Sequence, residues 1–359
     1  MRAAVMRNKK LVVDNIPVPT PGPGEVLVKT LACGICGSDL HALKFAEKLV
    51  EGARRSGGVF VMDLNRDVVM GHEFCFEIVD YGPGTQRKLK PGTRATCMPV
   101  LVRSTGVETV GYSNDNPGGY AEMMRLTEGL LLEVPNGLPS EHAALTEPMA
   151  VGYHAVQKAR LEKRDIPLVI GCGPVGLSVI AALKLKGIAP IVAADFSPRR
   201  RELAIKMGAD AVIDPKEKSP YESFKQMAVD PTAPPPAAPW MTGPQLRPAV
   251  IFECVGVPGV IDQIMLNAPR DTRIVIVGVC MERDHIEPMF GINKELNLQF
   301  VLGYTGEEFA TTLHNIAEGK VPVTPLVTGK VGVEGVAKAF EDLGSPEHHA
   351  KIIVEPWHS

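Results

Sequence analysis

Residues 169–179 read VIGCGPVGLSV, with Gly171, Gly173 and Gly176 in G-x-G-x-x-G spacing. The spacing alone is a weak signal. Its context strengthens it, because the apolar run PLVIGCG precedes it and the helical pattern PVGLSVIAALKLKG follows it as far as Gly187. A dinucleotide-binding turn needs that order. The first glycine makes the tight turn, the second lets backbone approach a pyrophosphate, and the third lets helix and strand pack. Pro174 and Val175 fall in the first turn of the helix, whose free N–H groups face the phosphates. Asp195 ends the next strand, PIVAAD, 19 residues after Gly176. A carboxylate there accepts ribose hydroxyls and repels a 2′-phosphate, which favours NAD over NADP. The segment SPRRRELAIKMGA reads as a helix capped by Ser197 with Pro198 at its first position. Its three arginines read as a solvated face, or Arg200 reaches the adenosine ribose or a phosphate. Val255 and Gly278, in the strand segments AVIFECVG and RIVIVGVC, complete the candidate cofactor-binding set.

Working outward, strand and helix patterns alternate over residues 151–300, which predicts a Rossmann, doubly wound parallel sheet. Residues 1–150 differ. They hold short apolar runs such as EVLVKTLACG and FCFEIVDYGPG closed by Gly and Pro, the texture of a mainly β domain. EPMAVGYHAVQKARL, from Glu147, reads as a helix at the junction. Residues 42–57 have a helical apolar face through Ala42, Ala46, Leu49, Val50 and Ala53. Residues 231–248 hold seven prolines in eighteen positions and read as a polyproline-like surface loop.

A chain of 359 residues suggests two domains, and 45% hydrophobic with 22% charged residues suits a globular protein with a large core. A net charge of -3 gives no footprint for nucleic acid. No apolar run is long enough for a membrane span, and no signal-peptide pattern opens the chain, so a cytoplasmic location is the default expectation. Seven scattered cysteines argue against a disulfide framework.

The stretch LACGICGSDLHAL, residues 31–43, holds Cys33 and Cys36 in C-x-x-C spacing, followed by Ser38, Asp39 and His41. The pair could be half a zinc site, a redox disulfide, or neither. Farther on come His72 and Glu73 in GHEF and Glu147 in TEPMAVG. A catalytic zinc takes three protein N, S or O ligands and keeps one position open, a need that cysteine, histidine and a carboxylate meet. Simpler roles also exist. Asp39 suits a helix cap, and Glu147 at a helix start answers the helix dipole.

Taken in order, CGICGSDLH, GHEF, PGTRAT, GGYAE, EPMAVGYHAV, GCGPVG, FECVG and IVIVGV cover nearly the whole chain. In these motifs the chain resembles the zinc-dependent medium-chain dehydrogenase/reductases, the alcohol and polyol dehydrogenase family, with EPMAVGYHAV nearest the sorbitol dehydrogenase branch. The resemblance implies a GroES-like catalytic domain built from 1–150 and 301–359 around an NAD-binding domain at 151–300. It implies an enzyme that moves a hydride between NAD and a secondary alcohol, polyol or bulky primary alcohol. Cys36, not Cys33, matches the zinc thiolate and His72 the imidazole ligand. Glu73 and Glu147 both stay open as the carboxylate ligand. Asp39 matches the acid that orients the imidazole. Ser38 matches the hydroxyl that contacts the substrate oxygen, and His41 the outer end of its proton path. Zinc acts there as a Lewis acid.

The sequence departs from the family in two places. The stretch CMPVLVRSTGVETVGYSNDNPGG, residues 97–119, corresponds to a lobe that in many members binds a structural zinc through four cysteines, and it holds only Cys97. One catalytic zinc and no structural zinc are therefore expected, with the lobe held by packing and turns. The spacer from Cys36 to His72, 36 positions, is longer than is common in the family, so residues 42–67 are expected to reshape the pocket mouth. Family members pair through an edge strand of the cofactor domain, placed here at Arg273–Cys280, which implies a homodimer or homotetramer. Two competing readings remain: a zinc-free NADPH quinone or enone reductase of the same superfamily, and a non-catalytic dinucleotide-binding protein. The joint presence of Cys36, His72 and Glu147 weighs against both.

Overall fold

The computed structural model describes residues 1–58, 60, 62–233 and 244–358. The chain forms two units, one of Met1–Pro148 with Thr305–Ser359, the other of Met149–Tyr304.

The first unit is mainly β. Its central strand, β1 (Glu25–Gly34), runs antiparallel to β2 (Glu73–Tyr81), with Gly34 opposite Glu73 and Cys33 opposite Phe74. On its other edge the same end of β1 pairs with the strand Lys351–Val354, Ile353 lying opposite Gly34. Three remote pieces of chain are thus brought together at one strand end. Tyr120, Phe74, Phe76 and Met124 are fully buried behind them. Each such side chain contributes about 1.5–3 kcal/mol by leaving water.

Past β1 the chain turns into two short helices, α1 (Gly37–Lys44) and α2 (Ala46–Ser56). The single helix expected over 42–57 is therefore split at Phe45, which leaves helical geometry at φ −124°, ψ 33°. Its apolar face is real: Ala42, Ala46 and Ala53 are buried. The cysteine-poor segment forms a hairpin of Val100–Arg103 with Gly106–Thr109. An ion-pair network fastens it, beyond the packing and turns expected. Arg103 bonds both the buried Glu25 at 2.7 Å and Glu108 at 2.7 Å, and Asn116 donates to Glu108 at 2.7 Å.

The second unit is a six-stranded parallel sheet. In chain order its strands are β3 (Ile166–Ile170), β4 (Val192–Ala194), β5 (Ala211–Ile213), β6 (Ala249–Glu253), β7 (Arg273–Ile276) and β8 (Asn297–Phe300). In space they run β5-β4-β3-β6-β7-β8. The order reverses between β3 and β6, the switch point beside which dinucleotides bind in doubly wound sheets. Helix α3 (Pro174–Leu185) follows β3, and α4 (Pro198–Met207) follows β4. The edge strands are β5 and β8, and the segment Arg273–Cys280 is not one. β7 is internal because it pairs with both β6 and β8. Of the proline-rich stretch 231–248, residues 234–243, with Trp240, lie outside the described residues. Among the described residues no helix is long and apolar enough to cross a membrane.

Candidate metal centre and dinucleotide-binding turn

The metal-ligating candidates converge at the end of β1. Cys36 is the N-cap of α1, two residues beyond the strand. His72 and Glu73 lie on the incoming side of β2, held opposite by the register. One donor atom each from Cys36, His72 and Glu73 fall within 4.8 Å of one another. Sulfur, nitrogen and oxygen at that spacing are a donor set that fits a zinc ion. Gly34 is required here: a Cβ on it would stand 2.0 Å from a Glu73 carboxylate oxygen.

Asp39 backs the group. It is fully buried, and its Oδ1 lies 3.4 Å from His72 Nδ1. The Tyr112 hydroxyl donates to Oδ1 at 2.7 Å, and the Tyr120 hydroxyl to Oδ2 at 2.6 Å. The Cys36 backbone N–H donates to Oδ2 at 3.1 Å, so Asp39 also closes the first turn of α1. Asp39 thus takes the bond at the start of α1 and also stands beside the His72 ring. Burial raises the Asp39 carboxyl, but the charge of His72 and the bonds from His72 and the two tyrosines outweigh it and hold it below the ordinary range. Burial lowers His72, while Asp39 and Cys36 raise it well above the usual imidazole value. A cation and a proton compete for such a ring.

Ser38 and His41 project from α1 and are half-buried. Ser38 Oγ stands 3.0 Å from the Tyr112 hydroxyl. Burial, and then Lys44, lower the pKa of His41. Glu147, buried in the first turn of the helix Thr146–Lys158, is not in the three-donor group. It contributes instead to the negative charge around Lys351. Cys33 is wholly buried and, like Cys36, unbridged, so the C-x-x-C pair is no disulfide. Of the other cysteines, Cys75, Cys97, Cys172 and Cys254 are buried thiols, and Cys280 is half-buried.

Sequence reasoning missed three residues of this site. Tyr112 and Tyr120 carry no local motif. Lys351 does leave a trace, as a lone cation in the apolar strand KIIV. Its Nζ reaches both Glu73 oxygens and the Ile35 carbonyl.

The glycine motif has the expected local form. Gly171 has φ +92°, and a Cβ on Gly176 would meet the Gly171 carbonyl at 1.9 Å. Gly173 is the N-cap of α3, with Pro174 at its first position and Val175 beside it. An added Cβ there meets only the Arg200 guanidinium, 3.9 Å away. Val255 packs against Gly171, and Gly278 against Gly256, at the carboxyl ends of β3, β6 and β7. Asp195 accepts the Cys172 N–H at 2.7 Å and the Ser197 N–H at 2.8 Å, with an Arg200 nitrogen 4.0 Å from it. The turn, the acid and one arginine therefore form one local cluster.

Comparison with known proteins agrees with both halves of this geometry. Residues 22–136 match the alcohol dehydrogenase GroES-like domain, and residues 174–318 match the zinc-binding dehydrogenase family. An (R,R)-butanediol dehydrogenase of Bacillus subtilis is 31% identical over 99% of this chain and 100% of its own length. A sorbitol dehydrogenase of Bos taurus is 29% identical over 95% of this chain and 94% of its own. The crystal structure of 2R,3R-butanediol dehydrogenase from Bacillus subtilis aligns with a TM-score of 0.80 at 29% identity, covering 99% of each chain. With its GroES-like β domain, its six-stranded Rossmann sheet and a Cys36–His72–Glu73 donor set, the chain belongs to the zinc-binding medium-chain dehydrogenase/reductase family of alcohol and polyol dehydrogenases.

Proposed function

We propose that the chain oxidises a secondary alcohol, polyol or bulky primary alcohol to its ketone or aldehyde with NAD. The observation that carries this reading is the convergence of Cys36, His72 and Glu73 donor atoms within 4.8 Å, backed by a buried carboxylate. Relatives named for butanediol and for sorbitol support an alcohol with more than one hydroxyl. Zinc, when bound, polarises an oxygen and eases loss of its proton.

The chain's own residues supply the rest. Cys36 and His72 would hold the cation, with Glu73 or Glu147 as the carboxylate ligand. Asp39 fixes the orientation of His72. Ser38 takes the hydrogen bond of the substrate hydroxyl, and His41, with its lowered pKa, relays the proton outward. Gly171, Gly173, Pro174, Val175 and Gly176 cradle the pyrophosphate, and Asp195 accepts the ribose hydroxyls. Arg200 stands by the phosphates, and Val255 and Gly278 border the cofactor at the strand ends. The catalytic domain comprises 1–150 with 301–359 and the cofactor domain 151–300. A single zinc serves catalysis, no structural zinc is held, and the protein is a cytoplasmic homo-oligomer.

Metal analysis with a substrate panel tests the reading. About one zinc per chain is expected, with NAD-linked oxidation of at least one of the polyols, aliphatic alcohols or aromatic alcohols. Turnover by zinc-free protein, or a zinc-loaded protein that oxidises none of them, ends it.

A further inference from the structure

The two places where the sequence departs from the family touch each other. Phe60, from the long spacer, meets the Tyr112 ring edge-on at 5.3 Å, and that ring, from the cysteine-poor lobe, lies 5.3 Å from the ring of His72. Tyr112 is buried, whereas Phe60 is only half-buried. A second contact, two residues beyond Tyr112, keeps Phe60 where it is. The Asp63 N–H donates to Asn114 Oδ1 at 2.8 Å, and Asn114 Nδ2 donates back to the Asp63 carbonyl at 2.9 Å. The same Nδ2 stands 3.2 Å from the Asp67 carbonyl and 3.5 Å from that of Arg66. A single side chain can pair with backbone in this way only if it carries both an acceptor and two donors, as an amide does.

Among the described residues, every hydrogen bond from the backbone of 62–67 to another part of the chain ends on Asn114. Side chains add less. Met62 is buried in the core of the unit, but the pairs Arg7–Asp67 and Arg66–Asp115 are exposed, a kind of ion pair that contributes little. We infer that Asn114 is a positioning residue for substrate selection: its amide clips the spacer to the lobe, holds the Phe60 ring against Tyr112, and so narrows the space that a bulky alcohol needs beside the metal centre. This rests on the proposed binding of the alcohol at Cys36, His72 and Glu73.

Two readouts test it. The first needs neither zinc nor substrate. Amide exchange at Asp63 quickens by about tenfold in Asn114→Ala, because its acceptor is gone; an unchanged rate overturns the inference. The second is the ratio of kcat/KM for a bulky aromatic alcohol over a small aliphatic one, measured on the zinc-loaded enzyme with NAD. Asn114→Ala raises it by about threefold to tenfold, through a lower KM for the bulky alcohol. Asn114 acts through Phe60, so in a Phe60→Ala background the same substitution moves the ratio no further. A general loosening of the protein has no such dependence on Phe60. Asp115→Ala removes only the exposed pair with Arg66 and leaves the ratio in place. A ratio unmoved in Asn114→Ala, moved again on top of Phe60→Ala, or moved as far in Asp115→Ala overturns the inference. A wild type that oxidises no alcohol overturns the dehydrogenase reading, and this inference with it. Should Asn114→Ala fail to fold, Asn114→Asp keeps the acceptor for the Asp63 N–H but turns a carboxylate towards the spacer carbonyls. It raises the ratio in the same direction, and an unmoved ratio there overturns the inference.

Discussion

Lys351 Nζ stands 2.7 Å and 2.8 Å from the two carboxylate oxygens of Glu73, and both side chains are buried. Lys351 opens a strand near the end of the chain, while Glu73 directly follows His72. The carboxylate nearest the candidate metal is therefore already neutralised by a lysine. Burial lowers the Lys351 pKa, but Glu73, Cys36 and Glu147 outweigh it and keep the ammonium charged. A cation at Cys36 and His72 thus shares Glu73 with Lys351.

Lys351→Met removes that partner and strands a buried charge, which costs about 3–5 kcal/mol of stability. A zinc ion offers Glu73 the same compensation. Zinc is then expected to raise the unfolding midpoint of the variant by more than it raises that of the wild type. Denaturant melts of each protein with and without zinc measure both effects. An equal zinc increment in the two proteins contradicts the shared-carboxylate account.

Cys36→Ala removes the thiolate but keeps the N-cap backbone and the Asp39 bond to it. Zinc content and turnover are expected to disappear together, while Asp39 still closes α1 and the fold persists. Circular dichroism, metal analysis and an assay on the same sample decide. An active variant without zinc contradicts the metal mechanism.

Asp195→Ala tests cofactor choice. Loss of the carboxylate leaves Arg200, 4.0 Å from it, free to meet a 2′-phosphate. The ratio of kcat/KM for NAD over NADP is expected to fall by about tenfold or more, the worth of one charge-assisted hydrogen bond. Two backbone N–H groups, of Cys172 and Ser197, also lose their acceptor, at a cost of about 1–3 kcal/mol each if they stay buried. Unchanged discrimination counts against the ribose assignment.

What the sequence made legible follows the range of each interaction. The Rossmann half rests on contacts within one strand–helix–strand unit, so VIGCGPVGLSV and Asp195 could be read directly. Cys36, Ser38 and Asp39 share one helical turn and were equally readable. Tyr112 and Tyr120 reach Asp39 across 73 and 81 positions, and Lys351 reaches Glu73 across 278. No local periodicity encodes such pairings; the antiparallel pairings of β1 bring Lys351 to Glu73, and the two tyrosines reach Asp39 from a bend and a turn. The break at Phe45 was hidden for a different reason. Its neighbours keep helical spacing of apolar residues on both sides, so the face is continuous although the helix is not. The edge strand was misplaced because RIVIVGVC and NLQF are both short strands, and only the pairing shows which is outermost.

Phe60→Ala tests whether the long spacer shapes the pocket. Removing residues 42–67 outright is a poor experiment, because Ala42, Ala46, Ala53 and Met62 are buried in the core of the first unit. Phe60 is only half-buried, and its ring stands edge-on to Tyr112, which itself lies against His72. Truncation there opens space beside the Tyr112 ring and leaves the Cys36, His72 and Glu73 donors intact. The aromatic contact is worth about 0.5–1.5 kcal/mol beyond burial, so the protein stays folded. The ratio of kcat/KM for a bulky aromatic alcohol over a small aliphatic one is expected to rise by roughly 10-fold, the scale on which pocket volume discriminates. Zinc content serves as the control and is expected to match the wild type. A profile that does not move, with zinc retained, removes the spacer from any account of specificity.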